Sequence, residues 1–223
     1  MHPLRRIVRP VALAAAVLGT VPLAQAVPVA PGTGPVVLPG TTLVAEPSLA
    51  GSILADVTTN WVSPIDPKYG FPGAQGEIES RVVRETASGT LDFYWRISVD
   101  GVSYPNDVPL AFAVSGLSLS DFPGGAAFDA DWRSDSLGDV APADASATAD
   151  AVTWDFAPNA FGPATSSFFL FLHSSATSFD SAATMRFGAT TASTFSPAAV
   201  PEPASVALMA AGLALLALRR RAG

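Results

Sequence analysis

Around residue 95 apolar and polar side chains alternate without a break. Leu91, Phe93, Trp95, Ile97 and Val99 fall on one side, and Asp92, Tyr94, Arg96, Ser98 and Asp100 on the other. A repeat of two residues suits only an extended chain, whose successive side chains leave on opposite faces. The stretch therefore predicts a half-buried strand, which needs hydrogen-bonding neighbours along its edges and a second layer over its apolar side. A neighbour precedes it: residues 77–86 place Ile78 and Val82 in register, and Ser88-Gly89 supplies the turn of an antiparallel hairpin. Residues 49–62, with Ile53, Val57, Thr58 and Thr59, predict an earlier strand, and 109–119, 151–156, 165–173 and 185–189 predict later ones. Within them 168–172 is apolar throughout, as in a strand covered on both faces. The central part has no helical period, and turn-rich loops such as 63–76 separate its strands. These features predict an all-β domain, an antiparallel two-sheet β-sandwich of jelly-roll or Ig-like kind, with Trp95 and Trp154 in its core.

The two ends read differently. Residues 1–26 begin with Arg5, Arg6 and Arg9, continue through the apolar run 11–18 and close on Ala24-Gln25-Ala26. A basic start, a short apolar stretch and a small-x-small site at Ala24 and Ala26 predict a cleaved secretory signal peptide. Residues 27–47 carry Pro28, Pro31, Pro35, Pro39 and Pro47 and read as an extended leader outside the core. The sandwich then takes 48–189. Within it, the acidic, Ala-rich and Pro-interrupted stretch 139–151 reads as a surface loop. Residues 190–199, rich in Thr, Ser and Ala, read as a linker to the final segment, 200–223.

That segment runs Val200, Pro201, Glu202, Pro203, then 13 uncharged residues from Val206 to Leu218, then Arg219, Arg220 and Arg221. As a helix the uncharged run reaches about 20 Å, short of the roughly 30 Å hydrocarbon core of a bilayer. It predicts one short transmembrane helix, held only weakly. Glu202 complements the positive N-terminal end of the helix dipole, and the arginines complement the negative C-terminal end. Clustered arginines stay cytoplasmic, which leaves everything before Val200 outside. Pro-Glu-Pro, a short apolar helix and an arginine cluster, in that order, resemble the PEP-CTERM sorting signal. The resemblance implies a partner, the exosortase-type membrane transpeptidase of Gram-negative bacteria. It also implies transient anchoring in the inner membrane before release to the cell surface or the extracellular medium. The middle of the chain resembles, more loosely, the β-rich ectodomains found upstream of such signals, on Gly89-Thr90-Leu91-Asp92-Phe93-Tyr94 and Ser166-Ser167-Phe168-Phe169-Leu170. It imports no active site.

All 19 acidic residues lie between Val27 and Pro203, where only six of the 12 basic ones do, so the exported part carries a net charge of −13. That charge disfavours nucleic acid and anionic headgroups as partners. The absence of cysteine excludes disulfides, a thiolate nucleophile and thiolate-bound metals, so an exported domain of this kind must rest on its apolar core.

The candidate chemical sites are sparse. Past the signal peptide, the one histidine is His173, at the end of an apolar strand, where a contact from a loop would satisfy it. No Gly-x-Ser-x-Gly elbow and no His-Glu-x-x-His motif accompanies it. Glu77 and Glu79 share a strand face at a spacing that suits a glycosidase pair, but Arg81 shares it too, as on a solvated, charge-mixed face. Asp129, Asp131, Asp135 and Asp139 gather hard oxygen ligands that suit calcium, although Arg133, Ser134 and Val140 break the EF-hand pattern. No other cofactor is expected. Trp61, Tyr69, Tyr94 and Trp132 are candidate aromatic contacts for carbohydrate. The expectation is an exported, non-enzymatic protein with a structural or adhesive role at the cell surface or in an extracellular polysaccharide matrix, as in a biofilm. A carbohydrate-binding, lectin-like module is the alternative, and a polysaccharide hydrolase comes third.

Overall fold

Pairing begins with the hairpin that the alternation predicts and spreads outward from it. The computed structural model describes residues 25–67, 70–100, 112–122, 128–149 and 151–198. Residues 1–24 with Ala24, the sorting segment from Val200 through Arg221, and Tyr69 lie outside the described residues. The described strands are β1 (Val27–Val29), β2 (Val36–Val37), β3 (Gly51–Val62), β4 (Ile65–Asp66), β5 (Phe71–Pro72), β6 (Gln75–Glu85), β7 (Leu91–Val99) and β8 (Gly116–Ser120). They continue as β9 (Phe128–Arg133), β10 (Asp144–Ala147), β11 (Ala151–Asp155), β12 (Thr165–Ser166), β13 (Phe169–His173), β14 (Phe179–Phe187) and β15 (Thr190–Pro197). Among the described residues no helix is long and apolar enough to cross a membrane.

Two antiparallel sheets carry the fold. One is seven-stranded in the order β1-β9-β13-β7-β6-β3, with β12 also paired to β7; the other is six-stranded in the order β15-β14-β8-β11-β10-β2. Strand β7 lies inside the first sheet, between β6 and β13. Its Phe93, Trp95 and Ile97 are fully buried and share one apolar core with Leu117 and Leu119 of β8, Trp154 of β11, and Met185 and Phe187 of β14. The Trp95 and Trp154 rings meet across the two sheets with centroids 5.8 Å apart. A buried indole must place its N–H, and Trp95 Nε1 donates to Thr194 Oγ1 at 2.7 Å, which in turn donates to Ser80 Oγ at 3.0 Å.

Three segments depart from the sequence reading. Residues 190–197 form strand β15, paired along β14, and not a linker; Thr190, Thr194 and Ser196 are buried. β-branched threonine favours the extended chain, and here its hydroxyl supplies what the indole needs. The Pro-rich leader 27–47 belongs to the domain: β1 pairs β9, β2 pairs β10, and Val29 and Leu38 are core residues. Prolines are tolerated because β1 and β2 are both edge strands. Within 139–151, β10 joins the six-stranded sheet and buries Ala145 completely, since a small side chain lets the sheets approach there.

Strand β7 is also more buried than its alternation predicts. Asp92 and Tyr94, on the face away from the core, are 1% and 3% exposed. A strap around residues 40–50, including the 3-10 turn Pro47–Leu49, lies over that face. Its Leu49 forms a second apolar cluster with Val83, Tyr94, Phe169 and Phe171.

Candidate functional site

Register sets out the outer face of the seven-stranded sheet in rows. Asp131 of β9, Phe171 of β13, Tyr94 of β7 and Arg81 of β6 lie side by side, with Asp56 of β3 beyond. One pleat along, Arg133 faces Phe169 and Arg96 faces Glu79. The strap covers part of this face through Gly40 N–H to Asp131 Oδ1 (2.9 Å) and Leu43 N–H to Asp135 Oδ2 (2.8 Å). Gly40 has φ +74°, and a Cβ there would run into the Trp132 ring, so only glycine lets the strap seat this closely. The rest of the face stays open as a groove of about 600 Å³, lined by residues that include Ile53, Glu79, Arg81, Tyr94, Arg133 and Asp135.

Electrostatically the groove is balanced. Arg81 Nη2 bonds Asp56 Oδ2 at 2.9 Å and Glu79 Oε1 at 2.7 Å, and Arg96 Nη2 takes Glu79 Oε2 at 3.1 Å. Both guanidiniums lie over the Phe169 ring, 5.0 and 5.7 Å from its centroid, a cation–π arrangement that fixes them in place. Arg133 Nε donates to Asp135 Oδ1 at 2.7 Å, and this bond holds the Asp135 carboxyl below the usual range. Two donors in the groove are left over. Both are closed to solvent: among the described residues Arg81 Nε has no partner, and the Tyr94 hydroxyl has only the nearby Arg133 guanidinium. Burial, reinforced by the negative charge of Asp92, pushes the Tyr94 hydroxyl up, so it keeps its proton.

A second polar cluster lies at the other end of the same face. His173 Nδ1 is 2.6 Å from Asp92 Oδ1 and its Nε2 is 2.9 Å from Glu46 Oε1; Glu46 Oε2 also accepts from Ala26 N–H at 3.2 Å. Burial by itself lowers the affinity of this imidazole for its second proton, but the paired bonds to Asp92 and Glu46 outweigh it and raise His173 to about 10. Asp92 is pushed up by burial against the opposing bond from His173. The arrangement is an imidazolium clamped between two carboxylates. Both its nitrogens are engaged, so it offers no lone pair to act as a base.

The remaining sequence candidates separate. Trp61 is the inward-facing residue of an otherwise exposed edge strand; it is 4% exposed and packs on Phe187 and Phe112, which corrects its reading as a surface aromatic. Trp132 is half-buried against Phe168, with its N–H 3.5 Å from Leu38 O. Tyr94 does face away from the core, as its register predicts, but under the strap and not in solvent. Asp129 and Asp131 lie on β9 itself and not in a loop; Asp129 is exposed and Asp131 is fully buried. Asp135 is committed to Arg133 and Leu43, and Asp139 Oδ2 accepts from the Ser166 N–H and hydroxyl. Among the described residues no three carboxylates or imidazoles come together as metal ligands. Glu77 is exposed, whereas Glu79 and Arg81 are half-buried and ion-paired, so the shared face is right but only partly solvated. Arg133, read from the sequence only as a break in the EF-hand pattern, Phe169, read only as part of an apolar run, and Glu46, not read at all, reach the site through pairings or strap contacts that no local pattern announces.

No curated protein and no solved structure matches the chain. A family model described as the PEP-CTERM protein-sorting motif matches residues 199–221, starting two residues after β15 ends. The chain is thus a protein with a PEP-CTERM sorting domain, and the motif implies export and membrane-associated, exosortase-dependent processing.

Proposed function

We propose that this is an exported, non-enzymatic protein that an exosortase-type system delivers to the cell surface or the extracellular polysaccharide matrix, where its role is structural or adhesive. The observation that carries this reading is the sorting motif at 199–221, set directly behind a strand whose Thr194 is bonded into the core. What the tail's processing delivers is therefore the whole two-sheet domain. The non-enzymatic part is supported by the state of the best catalytic candidates: both nitrogens of His173 and both oxygens of Glu79 are held by internal partners.

Cell fractionation tests it. The protein should be recovered with the extracellular polymer or outer surface, and Pro201→Ala/Pro203→Ala should leave the precursor in the inner membrane. Recovery of the wild-type protein in the inner membrane with peptides from 206–218 intact would defeat the delivery reading. Turnover of any member of a polysaccharide panel would defeat the non-enzymatic one. The carbohydrate-binding alternative is favoured by one observation, the polar groove on the outer face of the seven-stranded sheet.

A further inference from the structure

The seven-stranded sheet ends on a long edge that no strand closes. Strand β3 is 12 residues long, pairs β6 along one side and has no backbone partner on the other among the described residues. An open strand edge is a template for further pairing, and native domains blunt theirs with short strands, prolines, lysines or bulges. The edges at β1 and β2 are blunted so: these strands are three and two residues long, and β1 contains Pro28. β15 ends on Pro197 and exposes no large apolar side chain. β3 has neither proline nor lysine, and its one irregularity, between Ile53 and Ala55, leaves 55–62 as regular strand, about 27 Å of it. We propose that two copies of this chain join antiparallel along β3, through residues 55–62, so that their seven-stranded sheets run into one another across a two-fold axis close to Thr58 and Thr59.

The side chains of β3 lack a cover. Of the nine large apolar side chains exposed among the described residues, Ile53, Leu54, Val57 and Val62 are on this strand. Val57 has the parity of Trp61 and pairs with Ser80, which is bonded to Thr194 of the opposite sheet, so it faces inward. It is nevertheless 46% exposed, because the six-stranded sheet ends at β15 before reaching it. A two-fold axis normal to the sheet sets inward residues opposite inward ones. Val57 and Thr59 of each copy then meet those of the other, as the β-branched cross-strand neighbours that stabilise sheets. A lone segment added to β3 would carry a free edge of its own and only move the open edge outward, whereas a second copy brings an equivalent edge and closes both. Charge favours the same occupant. The chain between 27 and 203 carries −13, so two copies repel wherever their acidic surfaces approach. β3 has a single charged residue, Asp56, and Arg81 of the same sheet pairs with it at 2.9 Å. Like domains approach one another at least cost along this neutral strip, which has nothing to attract a basic partner. The pairing depends on neither the delivery nor the adhesive reading.

Sedimentation equilibrium of the full chain in density-matched detergent micelles tests the pairing. The wild type should form dimers, and added salt should strengthen them, since screening relieves the repulsion between acidic domains and leaves a neutral contact untouched. Val57→Lys, which sets like charges beside the axis, should weaken association at least tenfold with an unchanged circular dichroism spectrum. Thr59→Lys is the second variant and should do the same, while Val37→Lys, exposed on the other sheet, should leave association unchanged. The chain has no cysteine, so single introduced thiols report contacts cleanly. Thr58→Cys should give a disulfide-linked dimer on mild oxidation and Val37→Cys should not. A wild type that stays monomeric up to about 0.1 mM would leave the edge to another chain and overturn the proposal. Association that salt dissolves would overturn it too, as would dimers that form as readily through Val37→Cys as through Thr58→Cys. Association that both lysine variants leave intact would place the contact elsewhere, the C-terminal apolar run included, and would overturn it equally.

Discussion

His173 owes its second proton to two carboxylates from distant parts of the chain, Asp92 in the sheet and Glu46 in the strap. Its affinity is raised to about 10 in the fold against 6.5 in the unfolded chain. A group raised in this way stabilises the fold fully below its unfolded value, and the contribution fades as pH climbs through the folded one. The stability advantage of wild type over His173→Gln should therefore be largest below about pH 6.5 and shrink steadily towards pH 10 in urea melts. A difference that stays constant across that window would count against the clamped imidazolium. At neutral pH, removing the imidazole strands the buried Asp92 carboxylate, a loss on the order of 3 kcal/mol. Asp131 works in the opposite sense. Burial pushes its carboxyl up to about 6 despite bonds from backbone N–H groups of Trp132 and Gly40, and its Oδ2 has no partner among the described residues. Ionising it in the fold costs stability, so wild type should lose about 3 kcal/mol relative to Asp131→Asn as pH rises from below 4 to above 6. Asparagine keeps the acceptor for Gly40 N–H. Parallel pH profiles for the two proteins would remove Asp131 as a buried titrating group.

At the scale of the element, β15 is the most informative strand because its composition conceals it. Thr-Thr-Ala-Ser-Thr-Phe-Ser has the small polar residues of a linker, and only the fold reveals that Thr194 is the acceptor for the Trp95 N–H. Thr194→Val keeps the shape and removes that acceptor, so it should cost about 1–3 kcal/mol by denaturant melting. A chain ending at Ala189 should fail to give a cooperative transition, since it also exposes the edge of β14 and uncovers Trp95. A cooperative melt from that truncated chain would return 190–197 to the role of a tether. Strand β7 shows the other side of legibility. Its alternation is strict, so its existence, its partner β6 and its inward residues could all be read from the sequence. What could not be read is that a second layer covers its polar face, because the strap reaches it through contacts such as Glu46 with His173, 127 residues apart. The groove was half legible in the same way. Glu79 and Arg81 share a face by parity alone, but Arg133 and Phe169 join them only once β9 and β13 have been placed in the sheet.

Taken whole, the molecule is an acidic two-sheet domain joined with almost no slack to a sorting motif. β15 ends at Pro197, and the Pro-Glu-Pro of the motif starts at Pro201, so three residues, Ala198, Ala199 and Val200, separate the last strand from the motif's first proline. Extended, three residues span about 10 Å. The apolar run that follows is short for a bilayer and suits transient presentation to a membrane enzyme better than lasting anchorage. On the proposed delivery reading, an enzyme that takes hold of the motif at the membrane works within that distance of the folded domain. Slack should therefore control processing. Inserting six Gly/Ser residues after Ala198 should leave the rate unchanged or raise it. Deleting Ala198, Ala199 and Val200 should bring the sheet edge against the enzyme and accumulate unprocessed precursor in the inner membrane. The measurement is the ratio of precursor to released form by mass spectrometry after pulse labelling. Wild-type processing of the shortened chain would mean that the end of β15 peels from β14 to supply the missing length. In that case a further deletion into Ser196 and Pro197 should slow processing and lower the melting temperature together.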